Sequence, residues 1–481
     1  MLLHKYLIFE TNQNINMKRL FLSIVCALCI TPSFAQREIL YNINIGDFFD
    51  SDANGQGDIK GIREKLNDLQ FLDVTTIVLS PVYESDGTNA AVGDLDKINT
   101  QYGNFKEYRD LIQEVHNRKM KLYQTVNLQN VSAKHLWFKD SFKNTKSAYS
   151  NYIYYADNKN EKPAFKTQTK QDVAINLKNA KVAAYYNKAL QYWADPDGNG
   201  VFYDGVDGFI FKDVQDKTDT TGKTDNLLKE FWEPLSVMLK KINPAIQIIT
   251  DTAETTSFRQ SLYTGADGVA AYNLQQAIRT LDKAKINIAA DSTFKALPPG
   301  KYPVVQLEND QTIRLASLPK SDIGKLRVFA GLNILIGGMP VIYYGQEIGV
   351  KETSAKNVID GEALKAMQKD KNSLWNYYKE LLKIKITPAL AVGAYRDIHN
   401  SNNEVISFLR VYADPKTEGN ETVLVMINLS AENQFVILDR DKDVRISRLK
   451  LISGTPNIVF PKGGSSIEMT PYSLQVWKVL P

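Results

Sequence analysis

From about residue 36 the chain alternates short apolar runs, rich in β-branched and aromatic residues, with longer stretches whose apolar positions recur at helical spacing. This alternation points to parallel α/β packing. A strand covered on both faces reads as a continuous apolar run, and the helix that covers it reads as amphipathic. Strands are expected at Glu38–Ile45, Thr75–Leu79, Lys121–Val126, Gly208–Phe211, Ile246–Thr250, Gly268–Ala271, Tyr302–Leu307 and Val341–Tyr343. Helices are expected at Gly61–Phe71, Phe105–Arg118, Lys178–Trp193, Asn226–Ile242 and Lys325–Ile336. Eight strands is the count of a (β/α)8, or TIM, barrel, which needs about 250 residues or more. A chain of 481 residues therefore has room for an accessory domain.

The pattern breaks twice. From Asn130 to about Ala174 it is polar and rich in Lys, Asn and Tyr, as expected of a small insertion leaving the third strand. Beyond about Ile386, alternating runs such as Val405–Leu409, Val423–Ile427 and Leu474–Val479 are separated by turn-rich segments. That predicts an antiparallel β-sandwich over 386–481, following a barrel over 36–385.

The first 35 residues follow another logic. Met17-Lys-Arg, an apolar core from Leu20 to Ile30 and then Ser33-Phe34-Ala35 form the basic, apolar and small-residue regions of a signal peptide, with cleavage expected after Ala35. The apolar core is far shorter than the ~20 residues needed to span a bilayer, so no transmembrane span is expected after processing. Residues 1–16 precede this signal, as when a start codon is assigned too early. The mature protein is expected in the periplasm or medium.

A net charge of +4, from 58 basic and 54 acidic residues, is too diffuse to mark a nucleic-acid binder. Both cysteines, Cys26 and Cys29, fall inside the signal, which leaves the mature chain without disulfides or thiolate chemistry. Of the four histidines only His116, His135 and His399 remain after processing, too few for a zinc cluster or a histidine-based nucleophile relay.

Two short runs have the spacing of a cation loop. Asp50, Asp52 and Asn54 alternate, glycines permit a tight wrap, and Asp58 follows at the ninth position. A hard cation such as calcium collects six or more oxygens from such a loop, although the same residue types also build surface turns. Asp195, Asp197 and Asn199 repeat the alternation before the fourth strand, where turn and cation site remain equal alternatives.

Several segments resemble glycoside hydrolase family 13, the α-amylase family, and they occur in family order. They are Asp50 to Ile62 with Ile77-Val-Leu-Ser-Pro81, Gly205-Val-Asp-Gly-Phe209, and Gly338-Met-Pro-Val-Ile-Tyr-Tyr-Gly-Gln-Glu347-Ile-Gly349. Weaker echoes are His135–Phe138, Leu307-Glu-Asn-Asp310 and Met426–Ser430. The resemblance implies a structural calcium held by the side chains of Asp50, Asp52, Asn54 and Asp58 and the carbonyl of Gln56. It also implies a retaining site built from a nucleophile, an acid/base and a third carboxylate at the C-terminal strand ends.

Those positions fall on Lys212, Asp251 and Asp310. The family's fourth strand ends Gly-x-Asp-Gly-Phe-Arg-x-Asp, whereas this chain has Ile210 for the arginine and Lys212 for the nucleophile. Asp213 lies one residue on and is expected to face away, unless a bulge turns it back. Asp251 stands for a glutamate, with Glu254 the nearest longer acid, and Glu308-Asn309-Asp310 stands for Asn-His-Asp. Thr125 to Asn130 replaces the third-strand motif, and Ala90-Ala91 replaces a sugar-stacking Tyr-Asp pair. An ammonium cannot form a glycosyl ester and opposes an oxocarbenium ion. The resemblance therefore implies an impaired homologue binding an α-glucan or maltooligosaccharide, or acting as a scaffold. The alternatives are an active α-glucoside hydrolase with relocated carboxylates and a protein-binding scaffold similar to the heavy chains of amino-acid transporters.

Overall fold

The computed structural model describes residues 38–84, 94–164, 172–216, 225–251, 265–351, 361–413, 419–438, 444–454, 458–459 and 466–480. The expected signal with Cys26 and Cys29, the Ala90-Ala91 pair and Glu254 lie outside the described residues.

Eight parallel strands close into a barrel: β1 Leu40–Ile43, β2 Thr76–Leu79, β3 Lys121–Val126, β4 Gly208–Lys212, β5 Gln247–Asp251, β6 Gly268–Ala270, β7 Tyr302–Gln306 and β8 Met339–Tyr343. Each strand pairs with its sequence neighbours, and β8 returns to β1. The inward positions fill the interior with Leu40, Val78, Tyr123, Ile210, Ile249, Tyr302, Val304, Met339 and Val341. A barrel of this size is a packed core with its chemistry confined to one mouth. Gly208 makes room for this filling, since a Cβ there would lie 2.8 Å from the Tyr123 ring.

Helices cover the outside, and their ends show why they begin where they do. Asn104 accepts from the backbone of Lys106 and Glu107 while Glu107 reaches back to the Asn104 N–H, a capping box that starts Phe105–Asn117. Asp58 caps Ile59–Phe71 by accepting from Gly61 N at 2.6 Å. The helix expected over Asn226–Ile242 is present from Leu228 and opens with a π turn, Leu228–Trp232, that runs into Glu233–Ile242. Pro234 has no N–H to close a regular i to i−4 bond there.

Asn130–Ser132 and Asp172–Ala174 pair antiparallel at the base of a small insertion after β3. The C-terminal region holds a five-stranded and a three-stranded antiparallel sheet. Val405, Leu424, Met426 and Trp477 from the larger sheet share a core with Val436, Ile467 and Met469 from the smaller. Arg410 of this region donates to Ile336 O at 3.1 Å and ties it to the barrel. Among the described residues no helix is long and apolar enough to cross a membrane.

Candidate functional site

Parallel pairing puts the ends of β4 and β5 in register, so that Lys212 stands opposite Asp251. The two side chains meet, with Lys212 Nζ donating to Asp251 Oδ2 at 2.7 Å. Asp310, on the loop after β7, brings Oδ1 to 3.7 Å from the same ammonium. Ile210, two residues back on β4, packs into the barrel interior, which fixes Lys212 on the same inward face. Burial works against the charged lysine. The charges of Asp251 and Asp310, the hydrogen bond to Asp251 and the charge of Asp213 outweigh it and hold the lysine pKa above its ordinary value. Lys212 is therefore a protonated counter-ion at neutral pH and offers no lone pair for nucleophilic attack.

Asp213 departs from the expectation. Strand alternation would send it away from Lys212, yet it lines the same cavities. The reason is local: β4 ends at Lys212, and Asp213 adopts a left-handed backbone, φ 58°, with its N–H donating to Asp251 O at 2.8 Å. Its carboxylate accepts from Asn127 Nδ2 at 3.1 Å.

Two cavities flank the ion pair. One, of about 280 Å³, is lined by Asn42, Asn44, Ser80, Asn127 and Tyr343 together with Lys212, Asp213 and Asp310. The other, of about 330 Å³, is lined by Tyr272, Gln275, Arg279, Gln306 and Asn309 on the Asp251 side. Amides, hydroxyls and two tyrosines around charged groups are the donor and acceptor mix that a polyhydroxylated ligand needs.

The adjoining loop is braced by residues whose role the sequence alone did not disclose. Glu308 accepts from Arg314 Nη1 at 2.9 Å and from Leu315 N at 2.7 Å. Arg314 also donates to Tyr344 O at 2.9 Å and lies over the rings of Tyr343 and Tyr344. Glu347 is fully buried and accepts from Tyr41 Oη at 2.8 Å, and burial pushes its carboxyl up to about 7.

In the loop after β1, Asp50, Asp52 and Asp58 each offer a carboxylate oxygen, all within 4.8 Å of one another. Asn54 Oδ1 accepts from Gln56 N at 2.8 Å, and Asp50 Oδ2 accepts from Gly55 N at 2.7 Å. The tight wrap and the all-oxygen donor set fit a hard cation. Asp195 and Asp197 form a second acidic group on the far side of the barrel, and the acid that joins them is Asp204.

Residues 43–380 match the sequence model of the alpha-amylase catalytic domain. The chain belongs to the α-amylase family, glycoside hydrolase family 13. It is 23% identical over 489 residues to Alpha-amylase 3 of Dictyoglomus thermophilum, covering 92% of this chain and 93% of that protein. It is also 24% identical over 374 residues to the amino acid transporter heavy chain SLC3A1 of Rattus norvegicus, covering 66% of this chain and 54% of the relative. The crystal structure of an α-amylase from H. orenii shares the fold, with a TM-score of 0.77 at 20% identity over 93% of this chain and 100% of that one.

This α-amylase-family homologue gathers Lys212, Asp213, Asp251 and Asp310 at the C-terminal barrel mouth, where βα loops build active sites. The turn of Asp213 left no signal in the sequence beyond its position at a strand end. Arg314 was equally silent, because its partner Glu308 is close in sequence but its ring contacts come from β8 and the residue after it.

Proposed function

We propose that this protein is an exported α-amylase-family homologue that binds α-glucan or serves as a scaffold, with hydrolysis impaired. The observation that carries the reading is the ion pair of Lys212 with Asp251, reinforced by Asp310. Retaining hydrolysis needs two carboxyl groups about 5–5.5 Å apart, one attacking the anomeric carbon and one handling the leaving-group proton. Here an ammonium occupies the position matching the nucleophile. It makes no glycosyl ester, it repels a developing oxocarbenium ion, and it occupies Asp251 Oδ2 with its own hydrogen bond at 2.7 Å. The amide-rich cavities on either side support retained sugar contacts. Isothermal titration with maltooligosaccharides tests the binding half: saturable heat is expected, and its absence contradicts glucan binding.

A second reading rests on Asp213, whose turn into the cavity supplies another carboxylate near Asp251 and Asp310. In that reading hydrolysis survives with relocated acids and is lost in Asp213→Asn. The likeness to an amino acid transporter heavy chain supports a protein-binding scaffold instead, for which glucan titration gives no heat.

Asp50, Asp52, Asn54 and Asp58 through side chains, with the Gln56 carbonyl, would hold a structural calcium. The ion would supply charge neutralisation and a fixed loop geometry beside β1. Export rests on the Met17 to Ala35 signal pattern and predicts a mature chain beginning at Gln36.

A further inference from the structure

The stretch from Asp195 to Asp204 links the helix Ala180–Ala194 to β4. It reaches β4 at its start, so it lies at the N-terminal end of the barrel, away from Lys212 and from the Asp50 loop. Asp195, Asp197 and Asp204 each offer a carboxylate oxygen there, all within 4.8 Å of one another.

The loop's own hydrogen bonds leave part of this group unused. Gly200 N donates to Asp195 Oδ2 at 3.0 Å, and Asn199 donates from N and Nδ2 to the two oxygens of Asp197 at 3.1 and 2.6 Å. Asn199 Oδ1 in turn accepts from Val201 N at 2.6 Å. Asp195, only 9% exposed, keeps Oδ1 buried with no hydrogen-bond partner, and Asp204 Oδ1 is left in the same condition. A buried carboxylate oxygen without a donor is costly, and like charges packed together add to the cost.

The chain is nevertheless built to hold these groups together. Gly198 and Gly200 take positive φ, 67° and 74°, and wrap the loop. Gly205 packs so tightly that a Cβ would lie 2.0 Å from Ala194 O, which presses Asp204 against the helix end. Tyr203 is anchored by its carbonyl to His116 Nδ1 and by its hydroxyl to Asn117 Oδ1, both at 2.7 Å.

We propose that Asp195, Asp197 and Asp204 bind a divalent cation of the calcium type, which fixes the approach to β4 from the closed end of the barrel. Three carboxylates without histidine or thiolate select a hard ion, and a glycine-rich loop accommodates calcium's loose, many-oxygen shell better than magnesium's strict octahedron. Backbone oxygens or waters complete the shell. The site is structural, because it lies at the face of the barrel that carries stability and not catalysis.

The test is a count of bound calcium by equilibrium dialysis of the full-length, chelator-stripped protein, alongside Asp52→Ala, Asp197→Ala and Asp204→Asn. Asp197 is exposed, so its replacement leaves the core untouched. We expect Asp197→Ala to bind one calcium fewer per chain than wild type, and Asp204→Asn to bind at that site at least tenfold more weakly. Terbium, added as a calcium substitute, should give luminescence sensitised by Trp193 and Tyr203. The emission that survives in Asp52→Ala should vanish when Asp197→Ala is added to that variant. Equal calcium counts in wild type and Asp197→Ala, with terbium emission unchanged, would overturn the proposal.

Discussion

Lys212 and Asp251 are register partners on adjacent barrel strands, and their side chains close a 2.7 Å ion pair at the mouth of the barrel. On the function proposed above, the pair joins two positions that the α-amylase pattern assigns to opposite chemical duties. It makes them counter-ions of each other.

Removing the cation should expose the cost of the acids it serves. Lys212→Met leaves Asp213, Asp251 and Asp310 facing one another without a neutralising charge. The pair is mostly but not fully buried, with side chains 23% and 17% exposed, so solvent screens part of the penalty. Urea unfolding at pH 7.5 should show a loss of about 1–3 kcal/mol. An unchanged midpoint would show that Lys212 neutralises nothing.

Restoring the family pattern at β4 should not restore an enzyme. Ile210→Arg with Lys212→Asp returns both the arginine and the carboxylate, but Asp251 is still one methylene short of a glutamate and Asn309 replaces a histidine. Misplacement by about 1 Å can cost roughly a hundredfold. At most trace release of reducing ends from maltooligosaccharides is expected. Turnover like that of an ordinary amylase would mean that the remaining sugar contacts are intact.

Glu347 should imprint a pH dependence on stability. Burial is the main cause that raises its carboxyl to about 7 from an ordinary value of 4.5, only partly offset by the hydrogen bond from Tyr41 and the charge of Arg314. A raised folded-state pKa means that the native state binds the extra proton. The stabilising contribution is full below about 4.5 and is lost as pH rises through about 7. The loss is at most about 3 kcal/mol. Glu347→Gln should flatten the stability profile between pH 5 and 7.5 in denaturant titrations, and a slope identical to wild type would count against this assignment.

Calcium should raise the melting temperature and EDTA lower it, since a ligand bound by the folded state alone stabilises by mass action, about 2.7 kcal/mol at a hundred times Kd. Asp52→Ala should remove the part of that difference due to the loop after β1. Melting curves of wild type and Asp52→Ala that shift equally with calcium would show that this loop is only a turn.

Much of the fold was legible because strand and helix periodicities are local. The β3 boundaries agree at Lys121 and Val126, and the polar break at Asn130 coincides with the small insertion sheet. The helical stretch over Asn226–Ile242 was legible, but the π turn before Pro234 was not, because apolar spacing alone does not register a missing N–H. At the site, the inward direction of Lys212 followed from its two-residue spacing to Ile210. The return of Asp213 did not, since a left-handed residue just past a strand end breaks the alternation on which the reading relied. Asp204 escaped notice for a related reason: it joins Asp195 and Asp197 through the packing of Gly205 on the helix end, not through sequence spacing.

Release of reducing ends from maltooligosaccharides and pullulan by the purified mature protein tests the central claim most directly. The account predicts release no greater than that of the Asp310→Asn variant assayed in parallel, because Lys212 occupies the position where a nucleophile is needed. Sustained release at the rate of an ordinary α-amylase, abolished by Asp310→Asn, would contradict it.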